Sequence, residues 1–283
     1  AKNYNSNATI DNGTCIYEGD IEDIDGNIYR TAEIGTQRWM VENLRVTKYN
    51  DGEAITFFNY DEDVDFQNTE EGAYSEYYDG YDGSIQGIID YVSVESIGRL
   101  YNKYAVDDYR GLCPTNYRIP NNNDFEILRN FVSDIYADYD FGGVETRTTS
   151  NAGAFLKNID FGGVGLGDFN ALGAGYRQAS GVFLAQMYDD NNPKEYYWTT
   201  EGFWTLEYNS YEFDGNAIGN RNNGYSIRCI FGPEPEEVSG CTDLHATNFN
   251  VEATIDDNTC EYGVWFIGDN TSDLSLAFND AID

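Results

Sequence analysis

Residues 98–131 read GRLYNKYAVDDYRGLCPTNYRIPNNNDFEILRNF, an order of residue types that leaves the fold little freedom. Apolar Leu100, Tyr101, Tyr104 and Ala105 predict a buried strand, which Cys113-Pro114 brings to a stop. Arg118-Ile119-Pro120 leads into Asn121, with Asp124 three residues on. An Asn side chain in that place accepts a backbone N–H, and an acid in the first turn favours the positive end of the helix dipole, so a helix is expected to begin near Asn122. Phe125, Leu128, Val132 and Ile135 then recur at helical spacing, which predicts one buried face. The rest of the chain is expected to pack against this helix.

Ala, Leu and Lys are sparse in the 283 residues, whereas Gly, Asn, Asp and Tyr abound, with 24 Tyr against 16 Phe. That balance predicts short strands and long turn-rich loops over a helical bundle. Fifty acidic and 16 basic residues give a formal net charge of −34, a field that repels nucleic acid. Solubility in a salty medium accounts for such acidity, and calcium binding by acidic loops is the sharper alternative. No apolar run reaches the ~20 residues that span a bilayer, so direct membrane insertion is not expected. No basic and apolar leader opens the chain either, so residue 1 is read as lying inside a longer gene product. None of the five cysteines falls in a C-x-x-C pair, which argues against a zinc or redox motif and for disulfides in an oxidising, extracellular compartment.

A short unit occurs twice. AKNYNSNATIDNGTCIY starts at Ala1 and ATNFNVEATIDDNTCEY at Ala246. The second copy follows Gly240-Cys241-Thr242-Asp243, so it can close on itself through Cys241 and Cys260. The first copy lacks its opening cysteine, which leaves Cys15 as an orphan whose partner lies upstream, or else free or bonded to another chain. Units this small have too little apolar surface to fold without such a staple. They resemble the Cys-flanked repeats strung between modules of very large bacterial surface proteins. The organisation read from the sequence is thus a partial Cys unit over 1–18, a body over 19–232, an acidic Pro-containing linker over 233–239, a complete Cys unit over 240–262, and the start of a further module over 263–283.

Within the body, Asp25-Gly26 is a turn, and residues 28–31 and 38–41 predict a hairpin closed near Gly35. Tyr49-Asn50-Asp51-Gly52 is another turn. Residues 59–87 read as an acidic, aromatic excursion on the surface. Residues 152–157 predict a second short helix, and residues 196–201 and 203–211 alternating aromatic strands.

Several of these segments converge on one family. Asp25-Gly26-Asn27, the run from Gln37 through Trp39-Met40 to Glu42-Asn43-Leu44, Gly98-Arg99-Leu100-Tyr101-Asn102, Leu112-Cys113-Pro114, Ala152-Gly153 with Leu156-Lys157, and Tyr225-Ser226-Ile227-Arg228-Cys229 resemble, in order, the landmarks of the Fibrobacter succinogenes major paralogous domain family. The resemblance implies an α+β, C-type lectin-like fold akin to the formylglycine-generating enzymes, with two helices, short strands and long loops. It further implies a disulfide between Cys113 and Cys229. The chain departs from the pattern at Asn116-Tyr117-Arg118 and at Phe125, where a Trp is customary.

Catalytic signals are poor. The one histidine, His245, lies in the Cys unit, no hydrolase, zinc or phosphate-loop motif is present, and both body cysteines fall where the resemblance implies a structural disulfide. No enzymatic activity is therefore expected. Asp20, Asp23, Asp25 and Asn27 are candidate calcium ligands around a tight turn, as are Asp61, Glu62, Asp63 and Asp65, and Asp11, Asp243, Asp256 and Asp257 in the Cys units. Solvated turns explain the same residues. The expected binding face lies between residues 196 and 223, where aromatics alternate with amides. Trp198 and Trp204 are expected in the core, and Tyr208, Tyr211, Asn220, Arg221, Asn222 and Asn223 at the ligand. The resulting expectation is a non-catalytic, cell-surface module that recognises a glycan or surface protein and is joined to further modules of one long chain. The alternatives are a structural spacer in a stalk or filament, or a domain of a viral or phage fibre.

Overall fold

The computed structural model describes residues 19–58, 63–76, 94–136, 151–164, 168–184, 192–232, 239–241, 243, 246–250, 253 and 255–262. The chain divides into two compact units, Ala1–Glu234 and Pro235–Asp283. The larger is α+β, built from several small sheets and few helices.

Its helix at Asn122–Ile135 starts where the cap predicts. The Asn121 side chain accepts from the Asp124 backbone, and the Asp124 carboxylate accepts from the Asn121 backbone, so both ends of the capping box are made. Phe125, Leu128 and Val132 are buried, but Ile135 is 53% exposed, so the apolar face ends one turn earlier than the spacing suggests. Phe125 is the hub of the core. Trp39 stacks on it at 5.1 Å, and Tyr197, Trp204 and Phe213 surround it within 6.0 Å. Burying such a ring contributes about 1.5–3 kcal/mol.

Trp39 comes from the predicted hairpin, whose strands Thr31–Ile34 and Gln37–Met40 pair from Thr31↔Met40 to Ile34↔Gln37. Gly35 closes it with φ +63°, a left-handed conformation that suits glycine. Ile28–Tyr29, read as part of that hairpin, pairs instead with Ile21–Glu22 across the Asp25-Gly26 turn. The last strand of the body, Ile230–Phe231, lies between Gln37–Met40 and Tyr117–Arg118 in a four-stranded sheet. Beside it Cys229 is bonded to Cys113.

The structure departs from the sequence pattern in two further places. Leu100–Tyr101 is a strand, but Tyr104 and Ala105 belong to a helical turn, Lys103–Val106, because the Asn102 side chain caps it through the Ala105 N–H. The acidic stretch at 59–87 is not wholly a surface excursion, although residues 59–62 and 77–87 lie outside the described residues. Its helix Asp63–Asn68 carries the fully buried Phe66, and its strand Ala73–Ser75 pairs with both Thr56–Phe57 and Leu100–Tyr101.

The short helix Ala152–Leu156 is buried throughout. A three-stranded antiparallel sheet, Lys194–Trp198, Phe203–Glu207 and Phe213–Ala217, packs the rings of Tyr197, Trp204 and Phe213 against the central helix. Trp198 points into a second cluster and donates its indole N–H to the Tyr101 carbonyl.

In the smaller unit Cys241 and Cys260 are bonded, and Ser239–Gly240 pairs in parallel with Ile255–Asp256. The first Cys unit with Cys15 and Asp11, the linker at 233–238, His245 and residues 263–283 lie outside the described residues.

Candidate functional site

Three groups of residues bear on function, and they separate into buried scaffold and exposed surface. The landmark residues Asn43 and Arg228 belong to the scaffold. Asn43 accepts from Arg228 Nε and Nη2 at 3.0 and 2.5 Å and donates to Ile97 O, Glu195 Oε1 and Ser226 Oγ. Arg228 also donates to the Phe169 carbonyl. Burial pushes the Glu195 carboxyl up, while bonds from Ala174 N, Ser226 and Asn43 and the field of Arg228 pull the other way. All of these side chains are enclosed, and their polar atoms bond to one another.

The turn at 20–27 also turns inward. Asp23, buried, accepts from Asp25 N, Asn27 N and Asn27 Nδ2, each at 2.9 Å, and from Tyr29 Oη at 2.7 Å. Asp25 accepts from the Thr47 N–H and hydroxyl and pairs with Lys48 at 2.8 Å. Burial raises its pKa, and the bonds to Lys48 and Thr47 outweigh that and leave it below the ordinary value. Protein donors thus occupy the carboxylates of Asp23 and Asp25, the Asn27 amide nitrogen being one of those donors, with Asp20 half-buried just before them. Among the described residues no group of three or more His, Cys, Asp or Glu could hold a metal ion.

The expected binding residues fall into two loops that the structure keeps apart. Strand register pairs Lys194 with Glu207 at one end of the three-stranded sheet and Phe203 with Ala217 at the other. Tyr208 and Tyr211 therefore lie beyond one end and Asn220 to Asn223 beyond the other, with a strand length of about 13 Å between them. They do not form one face.

At the first end, Lys157 is fully buried and its ammonium donates to the carbonyls of Glu207, Tyr208 and Ser210 at 2.7, 3.0 and 2.6 Å. Burial lowers its pKa to about 8, partly opposed by Glu207, so at neutral pH it remains charged with three donors for three acceptors. Gly153 and Gly162 lie so near this turn that a Cβ would come within 2.4 Å of the Glu212 carbonyl and 2.7 Å of the Tyr208 carbonyl respectively. The turn is held from beneath and leaves Tyr208 and Tyr211 41% and 40% exposed.

At the other end the asparagines divide by role. Asn222 is only 9% exposed and donates to the carbonyls of Phe66 and Thr69 at 2.9 and 2.7 Å, so it pins the loop and is not placed to meet a ligand. Asn223 does the same, accepting from Ala179 N at 3.0 Å and donating to Tyr225 Oη at 2.8 Å. The backbone of Arg221 accepts from Lys103 N at 2.8 Å. What this fixed loop presents outward is Ile218, 92% exposed, with Asn220 and Arg221. Arg221 lies 4.5 Å from the Tyr104 ring centroid and pairs with Asp107 at 2.9 Å. Sequence reasoning passed over Ile218, and it named Tyr104 as a strand residue and Lys157 as a family landmark without giving either its role at these loops. An isolated isoleucine in a Gly-Asn-rich run was a usable signal for the first, whereas a buried lysine leaves none.

A disulfide-tied body of small sheets around one capped helix is a module suited to an oxidising, extracytoplasmic compartment. Among the described residues no helix is long and apolar enough to cross a membrane. Residues 32–230 match the model of the Fibrobacter succinogenes major domain, so the chain belongs to that family. No curated protein and no solved structure matches it.

Proposed function

We propose that the chain is a non-catalytic, extracellular module of a large surface protein, with a C-type lectin-like body that recognises a glycan or protein ligand. The pinned loop at 217–223 carries the reading. Its backbone is fixed by Lys103, Asn222 and Asn223 while Ile218, Asn220 and Arg221 remain exposed, so little conformational freedom is lost when a partner docks. Arginine beside tyrosine is also the pairing on which binding energy concentrates at interfaces. The disulfide-stapled unit at Cys241 and Cys260 supports a serial arrangement of modules.

The test is a screen of the whole chain against glycans and cell surfaces, repeated with Ile218→Asp and Arg221→Ala. Both substitutions fall on exposed side chains, so the fold should be retained and affinity for a true ligand should fall by about tenfold or more. Binding that survives both would remove this loop from the reading. No binding together with self-association would leave the spacer.

A further inference from the structure

We infer that the cleft between the last turns of the central helix and the tip of the Thr31–Met40 hairpin binds a small organic ammonium ion with a compact apolar body. This site is independent of the pinned loop. The cleft measures about 150 Å³, room for one benzene-sized group. Phe155 and Phe169, both fully buried, contribute its floor, and Phe131 and Ile135, 37% and 53% exposed, contribute its rim.

The rim is built into the fold. At Gly35 a Cβ would lie 2.9 Å from the Phe131 ring, so only a glycine lets this ring rest on the hairpin tip. Ile135 also gains a reason to be apolar at a place where the helix faces solvent.

Charge decides what the cleft prefers. Glu33 and Asp168 stand in its lining, and among the described residues no lysine or arginine does. Arg38, half-buried, pairs with the exposed Glu33, and among the described residues Asp168 makes no ion pair. The electron-rich faces of aromatic rings attract a cation that has shed part of its water, and carboxylates at the mouth add to that attraction while repelling anions. Phe169 already serves in this way inside the fold, with the Arg228 guanidinium 4.4 Å from its centroid. A neutral molecule of the same shape would gain apolar burial alone.

The experiment titrates the whole chain with benzylammonium, benzyl alcohol and benzoate, three probes of one shape and different charge, following the Phe131 and Ile135 resonances. Saturable shifts are expected for benzylammonium, with benzyl alcohol weaker by roughly fivefold and benzoate without effect. Asp168→Asn, at an exposed position, should weaken the cation by roughly fivefold and leave the melting temperature in place, and Phe131→Ala, which also gives up the ring's packing on the hairpin tip, should weaken it at least as much. Equal binding of the three probes, no saturation up to their solubility limits, or an affinity for benzylammonium untouched by Asp168→Asn would each overturn the inference.

Discussion

Asn43 occupies the point where the hairpin, the closing segment and the three-stranded sheet meet, and it alone supplies an acceptor to two nitrogens of the buried Arg228. Replacing Asn43 with Leu would leave Nε and Nη2 of that guanidinium without this acceptor, Nη1 keeping the Phe169 carbonyl, and losing hydrogen bonds to a buried charge in this way costs about 3 kcal/mol. A fall of that size in unfolding free energy by urea titration is the expected result. Lys157 gives a pH signature. The unfolded chain holds this proton to near 10.5 and the fold releases it at about 8, so the unfolded state binds more protons in that window. Lys157's contribution to stability therefore rises with pH from 8 to 10.5 and is lost as pH falls back through 8. The gap in unfolding free energy between wild type and Lys157→Met should widen over that range, and a gap constant with pH would refute the assignment. At the Asp25 turn the carboxylates already accept protein N–H and O–H donors. Adding calcium or a chelator is expected to leave the melting temperature unchanged.

Among the elements, the central helix depends on two side chains of unequal weight. Asn121→Ala removes one cap bond and should cost about 1 kcal/mol. Asp124 both completes the capping box and takes a two-pronged bond from Arg118 at 2.6 and 2.8 Å while nearly fully buried, so Asp124→Ala should cost about 3–5 kcal/mol. Chemical denaturation of the two variants checks the order. This helix was legible because its signals are local: a cap, an acid three residues on, and apolar residues at 3.6 spacing. The strand at Ala73–Ser75 was not, since its burial depends on Leu100–Tyr101, which lies far along the chain. The same reason hid the role of Asn222. An exposed and a buried asparagine look alike in sequence, and only the carbonyls of Phe66 and Thr69 tell them apart. Tyr208 and Asn220 are near in sequence, yet the sheet that separates them puts them at opposite ends.

For the whole molecule, the two disulfides act at different scales. Cys113 and Cys229 are 116 residues apart, and closing so long a loop contributes about 4–5 kcal/mol in the chain-entropy model. Cys241 and Cys260 span only 19 residues in a unit with little apolar surface of its own. Removing the first pair as Cys113→Ser with Cys229→Ser should lower the melting transition of the body. Removing the second should leave that transition alone and unfold the small unit, which amide hydrogen exchange would resolve. Cysteine count and compartment were readable from the sequence, but the 113–229 pairing came only through the family's landmarks. That bond also sets how the module behaves under tension. If the body is pulled from Gly19 and Gly232, the strand at Ile230–Phe231 can peel from its neighbours, yet everything between Cys113 and Cys229 stays shackled in a closed ring. Fewer than half of the body's residues can then pay out as extended chain at roughly 3.3–3.6 Å each, so the module yields a short, fixed length and then stops.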